Sequence, residues 1–157
     1  MMAYTFTRPG ARCPFTDRTW PADGGWLADA RATTGDELPV WLASELWRVE
    51  LAGHVSAPAA QLLGERGRLL ERIAAWDTAA AEAFVTDCRI ATLRQAARRP
   101  GDLRLGPLAA DARGCTAASV NLAGWLAARA ARVLDGEAGY RRERDRQAAW
   151  LRERLGL

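Results

Sequence analysis

Three side chains are the first candidates for acid–base chemistry in this chain of 157 residues, namely His54, Asp87 and Glu50. His54 is the only imidazole, so a catalytic triad would have to use it, although its place after Gly53 favours a turn residue. Asp87 stands among mostly apolar residues, where a carboxylate needs a donor or must be protonated. An ion pair with an arginine of another helix is the favoured interpretation of Asp87. A catalytic acid with Glu50 or Glu45 as its second carboxylate is the alternative.

Ligand binding is the second chemistry that the residue types indicate, because seven tryptophans are many for this length. Each indole buries about 150 to 250 Å2 and offers one N–H donor, so it suits a core, which is the default, and also an aromatic cleft. Asn121 is the only asparagine and stands inside a predicted helix, where its amide needs a use. Arg129 follows Trp125 by four residues, so the two can stack and give a cleft a cationic edge. The predicted ligand contacts are Trp47, Trp76, Asn121, Trp125 and Arg129.

The composition excludes several chemistries. All 22 basic residues are arginine, so there is no Schiff-base lysine and no P-loop lysine. One histidine and three cysteines without a C-x-x-C pair do not specify a metal site, and no metal or cofactor is predicted. The unpaired cysteines and the lack of a leader pattern indicate a reduced, cytoplasmic setting. The longest weakly charged stretch, 114–128, is too short for a membrane span and predicts a buried helix.

The formal net charge of +3 comes from the second half of the chain. Residues 1–57 hold five arginines against seven acids, and residues 58–157 hold 17 against 12. Acids alternate with the arginines and no aromatic side chains lie between clustered basic ones, a pattern typical of a solvated helix face. Nucleic-acid binding is therefore disfavoured. The expected partner is a small apolar molecule, another protein or a second copy of the chain in a homo-oligomer.

Short strands and turns are predicted for the first 75 residues. Residues 3–7 and 45–51 alternate in polarity, which is typical of half-buried strands and places Trp47, Val49 and Leu51 on one face. Residues 66–74 are a further candidate strand with a helix as the alternative, and residues 58–63 suit one or two helical turns. No long helix fits before residue 40, where proline and glycine interrupt the chain.

Helices are predicted from residue 76 onwards. The first runs from a cap at Asp77 or Thr78 to Arg99, and a loop rich in glycine and proline follows as far as Pro107. Residues 116–134 form the central helix, and a terminal helix follows Asp135-Gly136. The sequence thus predicts one α+β domain over 1–157, with a small N-terminal antiparallel sheet packed on a C-terminal three-helix layer. Residues 1–75 are mainly β and turns, and residues 76–157 are mainly helical.

Parts of 38–77 and 146–157 resemble a family of uncharacterised small bacterial proteins. The matching segments include LPVW at 38–41, ELWRVELAG at 45–53, RGRLL at 66–70 and RQAAWL at 146–151. They cover about a third of the chain. The family has no known activity, so the resemblance implies the layout of sheet followed by helices and no catalytic residue.

The function expected from these patterns is binding of a partner protein or of an apolar small ligand. The aromatic excess, the alanine-rich helices and the lack of an assembled catalytic motif favour it. The alternative is a small cofactor-independent enzyme, such as a cyclase, isomerase or hydrolase, with a carboxylate in a tryptophan-lined pocket.

Overall fold

The computed structural model describes residues 1–14, 16 and 18–157, and its first half is a four-stranded antiparallel sheet with the order β1-β3-β4-β2. The strands are β1 (Met2–Thr7), β2 (Leu27–Ala32), β3 (Glu45–Ser56) and β4 (Leu62–Arg72). On β3, Val49 and Leu51 are buried in one cluster and Trp47 packs against it. The face predicted from the alternating pattern is therefore confirmed.

The sheet curls so that its two edges meet. The backbone N–H of Tyr4 donates to the Thr33 oxygen at 2.9 Å, and the N–H of Thr33 donates to the Tyr4 oxygen at 2.7 Å. One side of the curled sheet encloses a small core of its own, which Trp20 helps to fill. Gly67 leaves the space that this packing needs, because a Cβ there would lie 2.7 Å from the Cβ of Ala30.

Three helices follow the sheet and complete the predicted α+β fold, although their bounds differ from those predicted, because the last helix unites the predicted central and terminal helices. They are α1 (Thr78–Ala97), α2 (Leu105–Gly114) and α3 (Val120–Leu155), with a short 3-10 turn (Ala117–Ser119) leading into α3. Asp77 caps α1 by accepting a hydrogen bond from the Ala80 N–H at 2.8 Å. Helix α3 is kinked at Asp135 and Gly136, where the predicted helix end lies, because Gly136 has a φ of +66°.

A series of edge-to-face aromatic contacts joins the sheet to the helices. The Trp76 ring lies 5.5 Å from that of Phe6 in β1 and 6.4 Å from that of Phe84 in α1, measured between centroids. Phe84 in turn lies 5.3 Å from Trp150 of α3. Such pairs contribute about 0.5 to 1.5 kcal/mol each beyond the area that they bury. Sheet and helices therefore share one continuous core.

Two predictions for the hairpin of β3 and β4 are wrong. Residues 58–63 form a turn and the start of β4 instead of helical turns, because strand pairing extends as far as Ser56 and Leu63. Strand β3 also continues beyond Leu51. It passes through an irregularity where Gly53 has a φ of +80°, so His54 lies within the strand and not in a turn.

Strand β2 and helix α2 were not predicted. Residues 105–107 open α2, although the loop was expected to reach Pro107. A proline in the first turn of a helix is tolerated because the N–H groups there have no partner within the helix. Glycine and proline usually indicate a helix break, but here they lie in the first turn of a helix, and for this reason α2 was not predicted.

Candidate functional site

A groove of about 650 Å3 opens where the sheet layer meets the starts of two helices. The segment 42–44, the beginning of α1 and the residues around the start of α3 form most of its walls. Its larger apolar side chains are Leu42, Val120 and Leu122. The volume lies within the range of about 300 to 1,000 Å3 that small-molecule sites occupy.

Several polar side chains of the groove have no partner among the described residues. In the part of the chain that the structure describes, the Asn121 amide, the Ser44 and Thr78 hydroxyls and the Arg8 guanidinium form no hydrogen bond or ion pair. The carboxylate of Asp77, in contrast, is engaged in capping α1. The groove therefore offers hydrogen-bonding groups beside an apolar wall.

An exposed strip on α3 continues from the groove. Asn121, Trp125 and Arg129 follow one another at intervals of four residues and so share a helix face, with Leu122 beside them. Leu122 is 45% exposed and Trp125 is 44% exposed, values that leave much apolar surface in water. Three of the five predicted ligand contacts thus lie on one strip that begins at the groove.

The other two predicted ligand contacts, Trp47 and Trp76, point into the interior. Trp76 is buried and its indole N–H donates to the Ala43 oxygen at 2.8 Å. Trp47 is half-buried and its N–H donates to the Thr7 hydroxyl at 3.2 Å. Both donors are satisfied within the protein, and no aromatic residue is among the described residues that line the groove.

Asp87 belongs to a polar cluster between α1 and the second half of α3, and it pairs with an arginine of another helix as the sequence analysis favoured. Its Oδ2 lies 2.5 Å from a nitrogen of Arg146, which also binds both carboxylate oxygens of Glu143 at 2.7 and 3.0 Å. Gln147, which is fully buried, donates to Glu143 and to the Gly124 oxygen at 3.0 Å each. Hydrogen bonding to Glu143 raises the pKa of Arg146 above its ordinary value in spite of its burial. This polar cluster is internally satisfied.

The cysteine next to this cluster has an unreactive thiol. Cys88 is fully buried on α1, and its burial raises the pKa of the thiol far above the ordinary range. The thiolate, not the thiol, is the nucleophile and the metal ligand. Cys88 therefore acts as a core residue at neutral pH.

Glu50 and His54 lie on the sheet, away from this cluster. Glu50 forms an ion pair with Arg68 of β4 at 2.7 Å, and the guanidinium of Arg68 lies 4.9 Å from the centre of the Trp26 ring. His54 is exposed near the end of β3. Among the described residues no hydrogen bond or ion pair connects Asp87, Glu50 and His54, and none of the three lines the groove.

Sequence reasoning missed most of the polar lining of the groove. Arg8 stands in a stretch that predicts a turn, Ser44 is a hydroxyl outside any nucleophile motif, and Thr78 was predicted only as a possible helix cap. Asn121 was found because a lone amide in an apolar helix is conspicuous. The only signal for Arg8 is its charge in an otherwise weakly charged segment.

Comparison with protein-family models, curated proteins and solved structures gives no match for this chain. The resemblance to uncharacterised small bacterial proteins therefore stays a prediction. Over residues 1–14, 16 and 18–157, no helix combines the length and the apolar character that a membrane crossing requires.

Proposed function

We propose that this protein binds a small, largely apolar molecule in the groove beside the starts of α1 and α3. The observation that carries the proposal is the unpartnered amide of Asn121 in the wall of a cavity of about 650 Å3. Ligand sites are typically apolar clefts in which a few polar groups fix the orientation of the ligand. Ser44 and Thr78 add two hydroxyls to that set.

The exposed strip on α3 supports the same function. Leu122 lines the groove, and Trp125 lies one turn further along the same helix face. Both expose apolar surface that a bound molecule would cover. A ligand that fills the groove can therefore extend over the indole of Trp125, the ring that the sequence analysis assigned to a ligand.

The proposal is tested by NMR titration of 15N-labelled protein with 2-naphthamide and 2-naphthoate, two flat apolar probes. Asn121 is the only asparagine, so its side-chain amide signals are assigned by their loss in Asn121→Ala. We expect both probes to shift these signals. Ala118→Trp, which places an indole in the groove, should weaken binding by at least about tenfold, equivalent to about 1.4 kcal/mol.

The matched control is Ala138→Trp, an exposed alanine on α3 beyond the kink. It should bind both probes as the unmodified protein does. Shifts that leave Asn121 untouched, equal binding by Ala118→Trp, or no binding of either probe at millimolar concentration would each contradict the proposal.

A further inference from the structure

The two charged side chains that line the groove, Arg8 and Asp77, differ in the partners that they have within the protein. Arg8 is held by a tight turn in which its backbone N–H donates to the Arg12 oxygen at 2.7 Å, and its guanidinium forms no ion pair with a carboxylate among the described residues. Asp77, the one acid in the described lining, already accepts the Ala80 N–H. The Arg8 guanidinium is therefore available to a ligand, whereas the negative charge of Asp77 is partly balanced by the positive end of the α1 helix dipole.

The neutral polar groups of the groove can also bind an anion. The Asn121 amide and the Ser44 and Thr78 hydroxyls can each donate a hydrogen bond, and nothing in the described chain accepts one from them. A carboxylate only accepts hydrogen bonds, so it can accept one from the guanidinium and from each of these groups, which line the same groove. A dianion is less suited, because one guanidinium balances one charge and Asp77 lies in the same wall.

We infer that the molecule bound in this groove is a monocarboxylate with an apolar body, its carboxylate facing Arg8 and its body against Leu42, Val120 and Leu122. The inference rests on the proposed function and adds the chemical class of the ligand. An apolar body gains chiefly by covering Leu122, which is 45% exposed, because Leu42 and Val120 are already buried, and the carboxylate gains a charge-assisted hydrogen bond from Arg8.

The test uses the difference between 2-naphthoate and 2-naphthamide, which share their ring and differ in charge. Dissociation constants of both are measured for the unmodified protein, for Arg8→Gln and for Arg94→Gln. Arg94 is exposed near the far end of α1, so its replacement changes the net charge equally without touching the groove. We expect naphthoate to bind about three- to fivefold more tightly than naphthamide, the range of an exposed charge pair.

This preference should disappear in Arg8→Gln, persist in Arg94→Gln and shrink as salt is added. Equal affinities for the two probes, or a preference that survives in Arg8→Gln, overturn the inference. If binding is still lost in Ala118→Trp, that outcome leaves the proposed function intact. Binding that is insensitive to Ala118→Trp overturns the proposed function itself.

Discussion

Helix α3 carries two side-chain amides, one in each of its halves, that differ in their hydrogen bonding. On the second half of the helix, the amide of Gln147 is fully buried and makes hydrogen bonds to Gly124, Glu143 and Arg144. At the first turn, the amide of Asn121 is half-buried and makes none within the described chain. A buried polar group without a partner costs about 1 to 3 kcal/mol. The protein thus satisfies the buried amide of Gln147 internally, whereas the half-buried amide of Asn121 stays accessible to another molecule.

The charged groups follow the same division. Arg146 binds two carboxylates and helps to hold the second half of α3 against α1. Arg8 at the groove has no such pair among the residues described. If the groove binds a ligand as proposed, stability and binding depend on different parts of the molecule, and substitutions should separate them.

Arg146→Met should have the largest effect on stability. It leaves Glu143 buried and Asp87 without its cation, a change that costs about 3 to 5 kcal/mol when the pair is fully buried. Because 39% of the Arg146 side chain is exposed, we expect a smaller loss of about 2 to 3 kcal/mol in the free energy of unfolding by urea. Arg141→Met, at a side chain 76% exposed, is the control and should change it by less than about 0.5 kcal/mol. Equal losses of unfolding free energy in Arg146→Met and Arg141→Met would refute the stabilising role of the Arg146 ion pairs.

Gln147→Ala and Asn121→Ala compare the two amides directly. Gln147→Ala removes three hydrogen bonds at a fully buried site, those with Gly124, Glu143 and Arg144, so urea unfolding should show a loss of about 1 to 3 kcal/mol. Asn121→Ala removes no described hydrogen bond, and its stability should stay within about 0.5 kcal/mol. Titration with 2-naphthoate should show the reverse order of effects, because Asn121→Ala should bind the probe more weakly than Gln147→Ala does. A stability loss in Asn121→Ala as large as that in Gln147→Ala would show that the groove amide is structural.

The sequence predicts the buried face of β3 and the need of Asp87 for a cation, but not the partner that Asp87 finds. The face formed by Val49 and Leu51 follows from alternation within one strand, which is a local property. That Asp87 needs a cation also follows from its apolar neighbours. Its actual partner, Arg146, lies 59 positions further along and is one of 22 arginines, so only the packed fold selects it.

The groove was the least predictable feature. It exists because the segment before β3 lies beside the starts of α1 and α3, an arrangement that no local pattern encodes. Trp76 was predicted as a ligand contact, with the core as the default place for an indole, and it lies in the core, where it joins sheet and helices through Phe6 and Phe84. Large rings bury the most apolar area when they are enclosed completely, and the interlayer core offers that enclosure.

The smallest effect is expected from the ion pairs at the kink of α3. Asp135 binds Arg98 through both carboxylate oxygens at 3.1 and 3.3 Å and Arg142 at 2.9 Å, and the hydrogen bonds from Arg98 lower the pKa of Asp135. A lowered pKa in the folded state stabilises the fold above the ordinary aspartate pKa of about 3.9, and this contribution is lost as the pH falls below it. Urea unfolding at pH 7 and pH 3 should therefore show a smaller loss on acidification for Asp135→Asn than for the unmodified protein. Asp145→Asn, at an exposed residue of the same helix, should retain the full loss, and the same retention by Asp135→Asn would show that the kink is held without this charge.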